Sequence, residues 1–287
     1  MRLLAVLLLT LGVAHAATPE SPVDAPSDVA SARPAGAPSQ PLWEAGFFGV
    51  GGSQQAYPGS RQQVNSGLLL PFFIYRGQVL RAEQGSVGLR ALRTARMEFD
   101  VGLAGSFGSS ASQDDARRGM PAIGTLIELG PRVKWELGAA PWGGQLNVAL
   151  PLRGVFDVSN GFAFRGVSLE PVLSWGQRTA SGWAYGVSAG LLIGNRRLAD
   201  TFYGVAPAEA TATRPMYEAR AGLVATRLSF NVSRRLGHDW RVFATARLDS
   251  VEGAANRRSP LVDKPTGASA GIGLAWTWMR SEQPAQL

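Results

Sequence analysis

The sequence predicts an antiparallel up-and-down β-barrel that crosses a membrane, and three observations predict it. Apolar and polar residues alternate in segment after segment between Trp43 and Trp278, long and tight connections alternate between those segments, and ionisable residues keep to one side of each segment. The plainest case is 123–137. Ile123, Thr125, Ile127, Leu129, Pro131, Val133, Trp135 and Leu137 share one face, against Gly124, Leu126, Glu128, Gly130, Arg132, Lys134 and Glu136 on the other.

The N-terminus reads as an export signal. Met1 and Arg2 precede an apolar run over 3–13 and the small-residue site Ala14-His15-Ala16, so residues 1–16 are expected to be a cleaved signal peptide. That run is too short to span a bilayer, and no later stretch offers the roughly 18 consecutive apolar residues of a membrane helix. Residues 17–41, rich in Pro, Ala and Ser, bury too little apolar area to offset their ordering entropy and are expected to be a disordered periplasmic lead. The barrel is expected over 42–280 and a tail over 281–287. The 287 residues contain no cysteine, which excludes a disulfide-stapled secreted domain. A net charge of +7 would suit nucleic acid, but export removes the chain from it, so no nucleic-acid partner is expected.

Twelve strands are expected, at 43–52, 64–75, 78–84, 86–92, 95–107, 122–138, 143–157, 165–178, 182–195, 216–236, 239–252 and 267–280. Connections 53–63, 108–121, 158–164, 196–215 and 253–266 are long and polar, whereas 76–77, 93–94, 139–142, 179–181 and 237–238 are tight; Gly85 alone is short on the long side. Bacterial outer-membrane barrels have an even strand number, short periplasmic turns and longer external loops. Twelve strands satisfy that parity and put both termini in the periplasm of a Gram-negative envelope; ten follow if the weak pair 78–84 and 86–92 fails.

Charge decides which face meets lipid. A lipid-facing Arg or Lys near the bilayer midplane costs roughly 2–4 kcal/mol, so the charged faces are expected inside. The lumen set is Arg96, Glu98, Asp100, Glu128, Arg132, Lys134, Glu136, Arg153, Arg227, Arg241 and Arg247, with Arg90, Arg178, Arg235, Asp157, Glu170 and Asp249 also inward. Two readings stay open for it: a lumen closed by ion pairs, or a narrow, weakly anion-favouring water path. Trp43, Trp135, Trp175, Trp183, Tyr185, Trp240, Trp276 and Trp278 fall toward strand ends, where aromatic girdles sit at the headgroup level.

The residues point away from enzymatic chemistry. His238, the one histidine of the mature chain, sits in a predicted turn beside Asp239 with no nucleophile grouped around it, and no cysteine or histidine cluster offers a metal site. Gly49-Val50-Gly51-Gly52 and Gly271-Ile272-Gly273 precede no helix and read as strand glycines, so no cofactor is expected. On the external loops Arg117-Arg118, Arg196-Arg197 and Arg257-Arg258 suit the phosphates of lipopolysaccharide. Asp114 and Asp115 beside the first pair suit a local salt bridge instead.

The last strand carries Gly273-Leu274-Ala275-Trp276-Thr277-Trp278, which resembles the C-terminal signal, here Gly273, Trp276 and Trp278, by which outer-membrane barrels are handed to their assembly machinery. Three further stretches resemble the family of the MltA-interacting protein and OmpV. They are Tyr57-Pro58-Gly59-Ser60 with Leu70-Pro71-Phe72-Phe73-Ile74-Tyr75-Arg76-Gly77; Phe202-Tyr203-Gly204-Val205-Ala206-Pro207 with Ala210; and Ser259-Pro260-Leu261-Val262. The resemblance implies a non-enzymatic outer-membrane protein that holds a murein hydrolase, a lytic transglycosylase, together with a murein synthase, a penicillin-binding protein. Porin-like members of the family imply the alternative, a narrow channel for small solutes, to which the lumen charges would add a weak preference for anionic ones.

Overall fold

The computed structural model describes residues 41–76, 80–83, 86–94, 96–106 and 114–284. The expected signal peptide, nearly all of the lead, the connection at Gly85 and residues 108–113 lie outside the described residues. Thirteen strands form one antiparallel sheet: β1 (Trp43–Gln55), β2 (Gln63–Arg76), β3 (Leu80–Glu83), β4 (Ser86–Arg93), β5 (Met97–Ser106), β6 (Leu126–Ala139), β7 (Gln145–Asp157), β8 (Ala163–Leu169), β9 (Val172–Arg178), β10 (Trp183–Gly194), β11 (Gly222–Leu236), β12 (Trp240–Ser250) and β13 (Thr266–Arg280). One helix, α1 (Arg196–Tyr203), lies between β10 and β11.

Apart from β8 and β9, neighbours in sequence pair in the sheet, β13 pairs with β1, and β10 pairs with β11, so the ring of strands closes on itself, with β2 meeting β3 only at Tyr75 and Arg76. β8 and β9 are the two halves of one stave. β7 pairs with β8 over 152–157 and with β9 over 145–149, and β10 also pairs with both. The expected single strand 165–178 is interrupted at Glu170-Pro171 because proline has no N–H to place in the ladder. Glu170 donates its N–H to Pro151 O and Pro171 accepts from Leu191 N, both at 3.1 Å, so the break stays stitched to both flanking strands.

The alternation sets the two faces as the charge pattern requires. In β6, Leu129, Trp135 and Leu137 are exposed on the outer surface while Arg132 is buried inside. Leu69, Phe73, Leu150, Leu173, Phe230 and Ile272 continue the exposed apolar band around the wall. Such a band is stable only against lipid tails. Leu150 pairs with Val133 at mid-height, so Leu150→Arg is expected to lower the unfolding free energy by about 2–4 kcal/mol in urea titrations of vesicle-embedded protein. A change below about 0.5 kcal/mol would place this face away from lipid.

All eight tryptophans lie in the half of the barrel nearer the chain termini. Trp240 stacks on Trp276 at 5.7 Å, Trp276 on Phe47 at 6.2 Å, and Trp43 on Phe73 at 6.1 Å. The aromatic belt is therefore one-sided. Past Trp278, β13 runs on to Arg280, Ser281 N–H donates to Trp43 O, and Pro41 bridges Pro284, so the first and last described residues meet at this rim.

Two expected strand starts belong elsewhere. Residues 122–125 and 216–221 leave the sheet and join a structure over the opposite end of the barrel, where Ile123 is buried rather than outward-facing.

Candidate functional site

The inner wall divides into two sectors. Side chains from β5, β6, β7, the β8–β9 junction, β11 and β12 carry the ions. Arg132 grips Asp100 with Nε at 2.9 Å and Nη2 at 2.8 Å, and Lys134 reaches Asp100 at 3.2 Å and Glu98 at 3.8 Å. A second chain runs Glu128–Arg153 at 3.6 Å, Arg153–Glu170 at 3.8 Å, Glu170–Arg227 at 2.7 Å, Arg227–Asp249 at 2.9 Å and Asp249–Arg247 at 3.0 Å. Ser168 Oγ donates to Glu128 at 3.1 Å. Each charge removed from water meets an opposite charge, which is the condition for holding it there.

Of the remaining expected lumen residues, Glu136 and Arg241 share faces with this set by register. Arg96 does not belong to it: it is exposed in the turn before β5. Glu170 is the residue that joins Arg153 to Arg227, and it keeps the inward parity of Ser168 across the stave break at Pro171.

The other sector is apolar. Phe48 and Val50 of β1, Leu68, Leu70, Phe72 and Ile74 of β2, and Phe243 of β12 share the inner face. Phe48 and Phe243 stack at 5.4 Å from the two strands that flank β13. A Cβ on Gly273 would collide with the Phe243 ring, so that glycine makes room inside the barrel while Trp276 and Trp278 face outward.

The end opposite the rim where Pro41 bridges Pro284 carries a packed cap, built from parts of all three stretches of the family resemblance, Tyr57 to Ser60, 202–207 and 259–262, while Leu70 to Arg76 stays in β2. Tyr57 OH donates to Leu261 O at 2.8 Å, Tyr203 OH to Pro58 O at 2.9 Å, and Ser259 Oγ to Tyr203 O at 2.8 Å. Gly59, at φ +93, makes the turn that lets its carbonyl accept from Asp263 and Lys264 N–H. Ser60 Oγ donates to Asp114 at 3.2 Å. Tyr57, Leu126, Val155, Leu198, Tyr203, Val205, Val224 and Leu261 form one apolar cluster. Because β1 and β7 stand six staves apart in the ring, a cluster joining their loop ends spans the opening. Burial drives the Tyr57 and Tyr203 hydroxyls above the ordinary phenol range, so both stay protonated donors.

Helix α1 folds inward as part of this cap. Asn195 caps it, its Oδ1 accepting from Leu198 N–H at 3.0 Å and from Val167 N–H at 3.1 Å, and Leu198, Ala199 and Tyr203 form its buried face. Gly204 ends it by donating to Asp200 O, and Val205 then bridges Tyr217. Asn among polar residues, followed by apolar positions three and eight later, is a helix signal within a segment expected to be a loop. Arg214 ties the segments together, its guanidinium donating to Ala116 O at 2.9 Å, Arg118 O at 3.0 Å and Glu209 O at 2.7 Å. Asn256 holds Arg220 by two bonds of 2.8 Å.

The six loop arginines separate by environment. Arg118 pairs with Asp115, Arg196 with Glu218 at 3.1 Å, and Arg257 with Glu252 at 3.5 Å. Arg197 lies over the Phe164 ring at 5.3 Å, and Arg258 is exposed. Arg117 turns inward instead: it is buried, and burial lowers its proton affinity below the usual guanidinium value. Beside it a cleft of ≈460 Å³ opens between the 117–124, 197–209 and 216–218 segments. Among the described residues no group of three or more His, Cys, Asp or Glu side chains could hold a metal ion.

A family model described as MltA-interacting protein MipA matches residues 48–278. No curated protein matches the sequence. Among solved structures, an outer membrane channel from Pseudomonas putida F1 is similar over 86% of this chain and 100% of its own, with 9% identity and a TM-score of 0.37. OmpT of Vibrio cholerae is similar over 83% and 98%, with 9% identity and a TM-score of 0.32. A Pseudomonas aeruginosa FadL homologue is similar over 82% and 89%, with 10% identity and a TM-score of 0.31.

Proposed function

Because the chain belongs to the MltA-interacting protein MipA family, we propose that it is a non-enzymatic outer-membrane anchor that holds a lytic transglycosylase, and with it a penicillin-binding protein, at the periplasmic rim. The family's name supplies the first client, since MltA is a lytic transglycosylase. The observation that carries an anchor rather than an open pore is the cap: Tyr203, Tyr57 and Leu261 cross-brace the loop end and leave the rim at the termini as the other face of the molecule. That rim offers the tight turns 140–144, 179–182 and 237–239, together with the tail braced by Arg280 on Asp239 and His238 O. Arg197 and Arg258, exposed and outside the ion pairs that hold Arg118, Arg196 and Arg257, are the proposed contacts to lipopolysaccharide phosphate.

The test is co-purification from envelopes. Full-length protein should retain a lytic transglycosylase, and deleting 18–41 or replacing Gly237, His238 and Asp239 by a Ser-Gly-Ser turn should remove it while the barrel still assembles. Retention unchanged in both variants, or no client with the intact protein, sinks the anchor. A narrow channel is the second reading, and one observation favours it: Leu70 faces inward yet is 44% exposed, so the apolar sector borders open space.

A further inference from the structure

The cleft beside the cap holds a buried cation whose hydrogen-bonding capacity its own residues leave unfilled. Most of its ionisable groups are matched: Arg165 pairs with Asp157 at 2.6 Å, Glu218 with Arg196 at 3.1 Å, and Glu209 Oε2 accepts from Ala206 N–H at 2.9 Å. Arg117 differs. Only 6% exposed, it spends its two terminal nitrogens on the carbonyls of Phe202 and Pro121, at 3.2 and 3.3 Å, and lies 5.8 Å from the Tyr57 ring. Its Nε is buried without a hydrogen-bond partner, and it makes no ion pair among the described residues. Asp114 and Glu209 attract it through space without coming to pairing distance, so a buried donor stays unmatched, and such a site is completed by an acceptor from outside.

The rest of the lining indicates what else the ligand carries. Asp200, on the exposed rim, accepts no hydrogen bond at its carboxylate among the described residues, and Thr201 stands beside it. Met120, Ile123 and Val205 supply a buried apolar floor. The volume, ≈460 Å³, lies within the range of small-molecule sites.

From these groups we infer that the cleft binds a small zwitterion of about dipeptide size, its carboxylate on Arg117, its ammonium on Asp200 and its aliphatic part on Met120, Ile123 and Val205. The site lies on the loop side, away from the rim proposed to hold the transglycosylase, and does not depend on that reading. It adds a recognition function at the closed end of the barrel.

Titration calorimetry on the purified full-length protein in detergent tests it with three probes: L-alanyl-L-leucine, its C-terminal amide and its N-acetyl derivative. The dipeptide should bind saturably with one site per chain. The amide and the N-acetyl derivative should each bind at least roughly tenfold more weakly, since each loses a charge-assisted contact. Arg117→Gln should weaken the dipeptide by a similar factor. Because that change also touches the cap, Ala206→Trp serves as the second variant: it fills the cleft, leaves Arg117 in place and should abolish binding. Absence of saturable dipeptide binding, equal binding of either derivative, or undiminished binding by Ala206→Trp would overturn the assignment.

Discussion

Replacing Arg227 by Met is expected to cost about 3–5 kcal/mol of unfolding free energy, read from urea titrations of the protein in lipid vesicles. Arg227 is the hinge of the longer ion chain, touching Glu170 at 2.7 Å and Asp249 at 2.9 Å from a largely enclosed position. Its loss leaves two carboxylates facing each other across a space with little water. Arg153 and Arg247 still reach them, at 3.8 and 3.0 Å, which sets the lower end of the range. The companion double variant, Arg227→Met with Glu170→Gln, should recover much of the loss, because the penalty comes from the stranded charge rather than from the missing attraction. A single-variant loss below about 1 kcal/mol, the worth of an exposed pair, would mean that the lumen is wet enough to screen these groups.

Replacing 197–214 by a short Gly-Ser linker is expected to turn a silent protein into a conducting one in planar bilayers. The segment removes α1, Tyr203 and Val205 from the apolar cluster and the Arg214 clamp from Ala116 and Arg118, so the opening loses its cover while every strand of the wall remains. Barrels of about 8 strands are filled by their own side chains and those of about 16 to 18 hold an aqueous channel, so a ring of intermediate size should open only narrowly. Conductance should then respond to neutralising Arg132, Lys134 and Arg153, the cations of the charged sector. Tyr203→Phe is the mild form: it removes one donor to Pro58 O, worth about 1 kcal/mol, and should leave the bilayer silent. If the intact protein conducts as well as the deletion, the cap is not the barrier and the channel reading gains over the anchor.

Much of this barrel was legible because β-structure facing two different media writes itself into the sequence at a period of two. Glu128, Arg132 and Lys134 alternate with Leu129, Val133 and Trp135, and slipping that register by one would place three charges in lipid. The ion partners followed less directly. Arg132 with Asp100 joins adjacent strands at a shared register position, and the same-face pattern anticipated it. Arg153 and Glu170 were likewise both expected inward, but that they would meet depends on how β7 stands against the broken stave β8–β9, which reads in the sequence as one continuous strand.

The cap was the least legible part. Its stretches were visible as motifs, Tyr57 to Ser60, Tyr203 to Val205 and Ser259-Pro260, but each looks like an ordinary turn. Their meaning is mutual: Tyr57 needs Leu261, Tyr203 needs Pro58, and Ser259 needs Tyr203, contacts between residues 204, 145 and 56 positions apart. The helix within 196–215 was missed because polar composition was read as loop, although Asn195 and the spacing of Leu198 and Tyr203 carry the capping and amphipathic signal.

By itself the sequence determined the class of fold and, among the described residues, the side of strands such as β5, β6, β11 and β12 that carries the ionisable groups, since those depend on local alternation and on the cost of charge in hydrocarbon. Tertiary structure alone decided that the barrel is lidded, that Arg117 is buried beside a cleft while Arg118 is not, and that the interior is split into ionic and apolar walls. Those outcomes depend on which distant segments meet once the sheet has closed, and no short-range pattern records a meeting that ring closure creates.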